Sequence, residues 1–204
     1  MLALTSQIGR AGGFLLDAIV RALALSRIHP NLLTAFGLAI NVGAAVAFGY
    51  GRFLLGALIV LGASLFDMVD GRVARRTKMV TPFGGFFDSV VDRYSDLALY
   101  FGLLVYYARL NRFFYVVLVA LAMTGSVMVS YTRARAESLI GSCKVGFMER
   151  PERIVLIIVG GLFNRMAAVL WVIAVLANIT VIHRIIYTWQ MTRKAERRDS
   201  QAAG

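Results

Sequence analysis

The chain has few of the features that mark a secreted or modular protein. Its one cysteine, Cys143, excludes an internal disulfide bond. No stretch rich in serine and proline interrupts the 204 residues, so no linker divides them into separate domains. Acidic residues are also scarce, with 11 Asp and Glu against 22 Lys and Arg. We therefore expect one domain that covers residues 1–204 and carries an excess of positive charge.

Apolar residues dominate the composition of the chain. The chain is 59% hydrophobic and its mean hydropathy is +0.72, which is typical of a polytopic membrane protein. The formal charge of +11 could indicate nucleic-acid binding, but the basic residues lie at the ends of apolar segments. That distribution favours a membrane surface and anionic phosphate substrates, with no nucleic acid as a partner.

The order of apolar segments predicts an all-α integral membrane protein with six transmembrane helices. Proline is tolerated in the first turn of a helix, and each of the three prolines stands at a predicted helix start. The fifth segment is shorter than the roughly 20 residues that a spanning helix needs, so its start could precede Pro151. The predicted segments cover about 30–49, 53–77, 82–108, 112–136, 151–163 and 166–190, and a charged, solvated tail follows at 191–204.

An amphipathic helix is predicted before these segments, at about 5–27. Arg10, Asp17 and Arg21 fall on one narrow face, with apolar residues opposite. Such a helix can lie in the membrane interface, although an ordinary packing helix fits the pattern equally well.

Lys and Arg counts near the segment ends predict the orientation. One side has only Arg52, Arg109, Arg112 and Arg165, and the other collects most of the remaining basic residues. We therefore expect a multi-pass protein of the cell membrane whose two termini are cytoplasmic.

Four carboxylates lie at the joint between the second and third segments. Asp67 and Asp70 are three residues apart and Asp88 and Asp92 are four apart, so each pair shares a helix face. Four carboxylates directed at one point repel each other unless a cation lies among them. Oxygen ligands suit magnesium, manganese or calcium. Asp88 and Asp92 also lie within an apolar run, where unpaired carboxylates are costly.

The spacing D-x2-D-G-x2-A-R-x8-G-x3-D-x3-D, which starts at Asp67, resembles the signature of the CDP-alcohol phosphotransferase family of membrane enzymes. In that family a CDP-linked lipid such as CDP-diacylglycerol gives its phosphatidyl group to an alcohol and CMP leaves. The resemblance implies two divalent ions, Mg²⁺ or Mn²⁺, held by Asp67, Asp70, Asp88 and Asp92. It makes Asp92 the general base towards the acceptor hydroxyl, or alternatively a metal ligand only.

The same resemblance assigns a second group of residues to the CDP-lipid. Small side chains let a nucleotide approach the helix backbone, and an arginine can contact a phosphate. Close helix packing is the alternative reason for small residues in a membrane helix. The residues assigned to the CDP-lipid are Thr34, Gly71, Ala74, Arg75 and Gly84.

Two basic stretches bear on the acceptor alcohol. The stretch S-Y-x-R-A-R-A-E at 130–137 and the stretch G-F-x-E-R-P-E-R at 146–153 resemble the phosphatidylinositol phosphate synthases within the family. The implied acceptor is a phosphorylated polyol, inositol phosphate, held through its phosphate by bidentate arginines. Those arginines are Arg133, Arg135, Arg150 and Arg153, although residues two apart on a regular helix do not share a face.

Other functions remain open at this point. A glycerol-phosphate acceptor would need the same cationic pocket, and the lipid could be a diacylglycerol or a diether. An ion transporter is the alternative from another class, because intramembrane carboxylates and arginines also mark transport sites. We also expect a homodimer, which is the commonest assembly.

Overall fold

A computed structural model describes the backbone of residues 30–76 and 81–202. Their side chains are described too, except those of residues 30, 68–76, 198–199 and 201–202. The predicted interfacial helix at 5–27 lies outside the described residues. Within the described residues every regular element is an α-helix, as predicted. The helices are α1 Pro30–Gly49, α2 Phe53–Arg76, α3 Pro82–Arg109, α4 Phe113–Ile140, α5 Arg150–Leu162 and α6 Met166–Ala202.

Local sequence accounts for the helix starts. Pro30 and Pro82 are the first residues of α1 and α3, and Pro151 is the second residue of α5. These positions confirm the prediction, because proline lacks the N–H that a first-turn residue could not use. Thr81 caps α3 in addition, where its Oγ1 accepts a hydrogen bond of 2.9 Å from the backbone N–H of Gly84.

Two predicted helix ends are wrong. Helix α4 continues to Ile140 rather than 136, and α6 continues to Ala202 rather than 190. The tail from 191 is therefore helical up to Ala202. A helix ends where a residue breaks its backbone pattern, and the polar run 191–202 contains neither glycine nor proline. The fifth helix starts at Arg150 and has 13 residues.

Small residues allow close helix crossings. Helix α1 packs on α2 and α3, α4 packs on α3 and α6, and α5 packs on α2 and α6. A Cβ atom on Gly102 of α3 would collide with the backbone of Ala45 in α1. A Cβ on Gly125 of α4 would lie 3.1 Å from the Cβ of Ala177 in α6. These contacts fit helix packing in a membrane, where close backbone approach stabilises association.

Large apolar side chains cover the outside of the bundle as well as its core. Leu99, Leu103 and Leu170 are fully buried, whereas Phe36, Phe113 and many others are exposed. A large exposed apolar surface is unusual for a soluble monomer and suits contact with lipid. Among the described helices, three are long and apolar enough to cross a membrane: Asn31–Gly49, Phe113–Ile140 and Met166–Arg197.

Candidate active site

A cavity of about 520 Å³ opens between α3, α4, α5 and α6. Its lining is strongly charged, with four acidic and four basic side chains among the lining residues. The charged lining residues are Asp92, Arg93, Asp96, Arg133, Glu137, Glu149, Arg150 and Arg184. Opposite charges in equal number leave the cavity nearly neutral before any ligand binds.

Three carboxylates meet at the guanidinium of Arg150. Its Nη1 lies 3.0 Å from Oδ1 of Asp92, its Nη2 lies 3.5 Å from Oδ2 of Asp67, and its Nε lies 3.3 Å from Oδ1 of Asp96. Because these residues come from α2, α3 and α5, the start of α5 joins the two aspartate-bearing helices. The structure thus brings Asp67 and Asp92 of the signature to one cation.

Asp67 has room for its carboxylate because a glycine faces it. A Cβ atom on Gly37 of α1 would lie 2.8 Å from Oδ1 of Asp67, closer than ordinary van der Waals contact. Gly37 is buried and precedes Asn41, whose amide nitrogen donates to the Gly37 carbonyl oxygen. The absence of a side chain at Gly37 therefore sets where Asp67 can lie.

Asp88, Asp92 and Asp96 follow one another on the same face of α3. Asp88 is exposed, Asp92 is half-buried and Asp96 is buried, so this face runs from the solvent-accessible mouth into the core. Spacing of four residues places such side chains one above another. Asp96, which lies outside the sequence signature, ends the row as a partner of two arginines.

Arg153 does not line the cavity, contrary to its predicted place in the acceptor pocket. Its side chain is 1% exposed, and its Nη2 donates to Oδ2 of Asp96 at 2.8 Å. Its Nη1 donates to the carbonyl oxygen of Met148 at 3.2 Å. A buried charge needs such partners to offset its lost hydration. Arg153 therefore holds Asp96, and Asp96 in turn holds Arg150.

Arg133 and Arg135 point to different sides of α4, as their spacing requires. Arg133 lines the cavity, whereas Arg135 is exposed and donates to the hydroxyl of Ser138 at 3.4 Å. The structure therefore places Arg133 in the cavity that Asp92 and Asp96 also line, and it leaves the predicted Arg135 outside that cavity. The reason is the 3.6-residue helical repeat, which turns alternate residues away from each other.

Arg184 is a cavity residue that the sequence reasoning missed. It lies on α6 with a side chain that is 1% exposed, and its Nη2 donates to Oε1 of Glu149 at 2.9 Å. The same Glu149 oxygen accepts from Nη1 of Arg133, also at 2.9 Å. A charged residue within an apolar helix is costly and commonly functional, and that signal was available in the sequence.

Other predicted site residues lie near the start of their helices. Thr34 is half-buried in α1 and Gly84 is half-buried in the first turn of α3. The N–H of Gly84 is used in the Thr81 cap, which gives this position a structural role as well. The backbone of α2 includes 70–75, but the side chains of Asp70, Gly71, Ala74 and Arg75 lie outside the described residues.

The donor set fits a hard divalent cation. Asp67 and Asp92 present carboxylate oxygens to a cationic group, and oxygen is the ligand that magnesium and manganese prefer. Among the described side chains no group of three or more acidic, histidine or cysteine residues is arranged as a metal site. The guanidinium of Arg150 lies among Asp67, Asp92 and Asp96, and the side chain of Asp70 is outside the described residues. Metal binding by Asp67, Asp70, Asp88 and Asp92 stays a prediction.

Comparison with known proteins agrees with the signature. The family model described as CDP-alcohol phosphatidyltransferase matches residues 27–191. An archaetidylinositol phosphate synthase of Methanothermobacter thermautotrophicus is 36% identical over 181 residues, which are 86% of this chain and 89% of the relative. A phosphatidylinositol phosphate synthase of Mycobacterium tuberculosis is 34% identical over 182 residues, or 84% of each chain.

Solved structures give the same result. The M. tuberculosis phosphatidylinositol phosphate synthase with CDP-DAG bound superposes with a TM-score of 0.80 at 31% identity. That match covers 85% of this chain and 93% of the other. The same enzyme in complex with manganese and citrate gives a TM-score of 0.77 over 85% and 88% of the two chains. This chain belongs to the CDP-alcohol phosphatidyltransferase family.

Proposed function

We infer that this protein transfers a phosphatidyl-type group from a CDP-linked lipid to a hydroxyl of inositol phosphate and releases CMP. The observation that carries this inference is one cavity with two charged walls. Asp92 and Asp96 of α3 form one wall, the carboxylate wall. Arg133 of α4 and Arg184 of α6 form the other, the arginine wall. A reaction between a pyrophosphate and a phosphorylated alcohol needs both kinds of wall, because one binds cations and the other binds an anion.

The carboxylate wall provides the chemistry of transfer. Asp92 is half-buried and lines the cavity, so it can accept the proton of the attacking hydroxyl. Asp67, together with Asp70 and Asp88, completes the oxygen donors. These carboxylates would hold a divalent ion, which would supply positive charge against the CDP-lipid pyrophosphate. Gly37 and Asp96 position Asp67 and Arg150 respectively, so the wall is organised before substrate arrives.

The arginine wall selects the acceptor. Arg133 and Arg184 direct guanidinium groups at one point, marked by Oε1 of Glu149. Guanidinium groups bind phosphate oxygens through paired hydrogen bonds, so this point suits the acceptor's phosphate. The names of the relatives agree on inositol phosphate and differ in the lipid part. We therefore propose inositol phosphate as the acceptor. The experiment below compares diacylglycerol and diether lipids as the donor.

The remaining assignments follow from the same site. Thr34, Gly71, Ala74, Arg75 and Gly84 would contact the CDP-lipid, since they lie at the helix ends around the aspartates. All six helices would be embedded in the cell membrane, with the interfacial helix at 5–27 along its surface. The excess of basic residues on one side supports a cytoplasmic location for the aspartates and both termini. We also propose a homodimer as the working assembly.

The decisive experiment measures CMP release by purified protein in detergent. The donors are CDP-diacylglycerol and a CDP-linked diether lipid, and the acceptors are inositol phosphate, free inositol, glycerol phosphate and serine. Magnesium, manganese and a chelator are compared. Chelator-sensitive release with inositol phosphate alone would support the proposal. Release with glycerol phosphate alone would keep the reaction and change the acceptor, and metal binding without CMP release would favour transport instead.

A further inference from the structure

A side chain of the protein itself occupies the anion position, the point in the cavity on which the guanidinium groups of Arg133 and Arg184 converge. Oε1 of Glu149 accepts hydrogen bonds from Arg133 and from Arg184, each at 2.9 Å. One oxygen shared by two guanidinium groups is also the arrangement expected for a bound phosphate oxygen. Glu149 therefore lies where the arginine wall binds its anion.

The two arginines are held by other partners as well. Nε of Arg184 donates to the Val145 carbonyl oxygen at 2.9 Å, and its Nη1 donates to the Val129 carbonyl oxygen at 2.5 Å. Nε of Arg133 donates to Oε1 of Glu137 at 3.0 Å. Each guanidinium thus keeps at least one anchor when Glu149 moves away, so Glu149 is not needed to aim them.

Glu149 is placed where its side chain can leave. It is the N-cap residue of α5, but its side chain makes no capping hydrogen bond. Its side chain is partly exposed, whereas that of Arg184 is buried. Rotation of the Glu149 side chain towards solvent would therefore break only its contacts with the two arginines and leave the helix start intact.

We propose that Glu149 is a specificity-determining residue whose carboxylate occupies the anion position until the acceptor's phosphate displaces it. The proposal rests on the location of the acceptor phosphate given above. A phosphate monoester carries close to two negative charges near neutral pH, and a carboxylate carries one. The monoester therefore gains more from the arginines than Glu149 loses. A neutral polyol or a simple carboxylate gains too little to displace Glu149, so the cavity selects phosphorylated acceptors.

The test is direct binding of inorganic phosphate and of acetate to the full-length protein in detergent, without CDP-lipid. In Glu149→Gln the competing charge is absent, and we expect phosphate to bind about tenfold more tightly, the effect of one charge-assisted hydrogen bond. We also expect acetate binding to become measurable. Glu152→Gln is the matched control, because Glu152 is an exposed acidic residue in the same turn of α5 and does not line the cavity.

Whether phosphate binds more tightly or more weakly in Glu149→Gln decides between two roles for Glu149. Weaker or unchanged phosphate binding in Glu149→Gln would overturn the proposal, because it would make Glu149 a support for the arginines or a bystander. If this variant does not fold, Glu149→Asp keeps the charge but is too short to reach both arginines. Tighter phosphate binding is again expected, and weaker or unchanged binding again refutes the idea. Failure of the proposed function is a separate result, since it is the absence of CMP release by the wild-type protein.

Discussion

Replacement of Gly37 by alanine tests how the carboxylate wall is positioned. The added Cβ would lie 2.8 Å from Oδ1 of Asp67, so the carboxylate must move away. Its other oxygen lies 3.5 Å from Nη2 of Arg150, and that contact would change as well. The substitution thus displaces a predicted metal ligand without changing any charged residue.

The size of the effect follows from the distance. Relief of the contact needs a shift of about 0.7 Å, because ordinary contacts between heavy atoms begin near 3.5 Å. Active sites tolerate about 0.5 Å, and a misplacement of about 1 Å can reduce the rate about 100-fold. We therefore expect Gly37→Ala to lower turnover by about 10- to 100-fold. Helix stability should rise by about 0.5–1 kcal/mol, because alanine has the better helix propensity.

The assay is CMP release at several magnesium concentrations, together with thermal unfolding in detergent. Gly43→Ala is the matched control, since it lies on the same helix and a Cβ there would meet nothing within 4 Å. That variant should gain the same helix stability and keep wild-type turnover. Wild-type turnover and metal dependence in Gly37→Ala would refute the reasoning that Gly37 positions Asp67.

Three further substitutions test the base and the packing. Asp92→Asn should reduce CMP release by at least about 100-fold, because it removes the proton acceptor, while CDP-lipid binding persists. Tyr100→Phe should lower the free energy of unfolding by about 1 kcal/mol, since it deletes the 2.8 Å hydrogen bond between Tyr100 Oη and Ser126 Oγ. Gly102→Ala should cost about 1–3 kcal/mol in thermal unfolding, because the backbone of Ala45 cannot rotate away.

Each of these has a result that contradicts it. Wild-type turnover in Asp92→Asn would show that Asp92 is not the general base. An unchanged melting temperature in Tyr100→Phe would show that the Tyr100 hydroxyl does not stabilise the fold. For Gly102→Ala the comparison is Gly62→Ala, at which a Cβ would meet nothing within 4 Å. Equal melting temperatures in these two glycine variants would mean that Gly102 of α3 and Ala45 of α1 do not lie in close contact.

Sequence reasoning was most successful where local rules apply. The start of α1, α3 and α5 followed from proline, whose effect is confined to its own turn of helix. The predicted end of α6 is wrong because the change from apolar to charged residues at 191 does not end the helix, which continues to Ala202. Hydropathy describes the surroundings of a helix, whereas backbone propensity decides whether the helix continues.

The predictions for the arginines were also limited to what local helical spacing can decide. Helical spacing indicated that Arg133 and Arg135 could not share a face, but it did not say which one faces the aspartates. The prediction that Arg153 holds the acceptor phosphate rests on the resemblance of the stretch 146–153 to the phosphatidylinositol phosphate synthases, which says nothing about burial. In the fold Arg150 lines the cavity, whereas Arg153 is buried against Asp96 and the carbonyl oxygen of Met148.

The sequence by itself determined the kind of protein and the kind of chemistry. Its apolar segments require helices in a membrane, and its spaced aspartates require a cation. The tertiary structure decided which charges meet, since Arg150 pairs with Asp67 across 83 residues and with Asp96 across 54. It also placed Arg184 opposite Glu149. Helical periodicity acts over a few residues, and contacts over such separations depend on how whole helices cross.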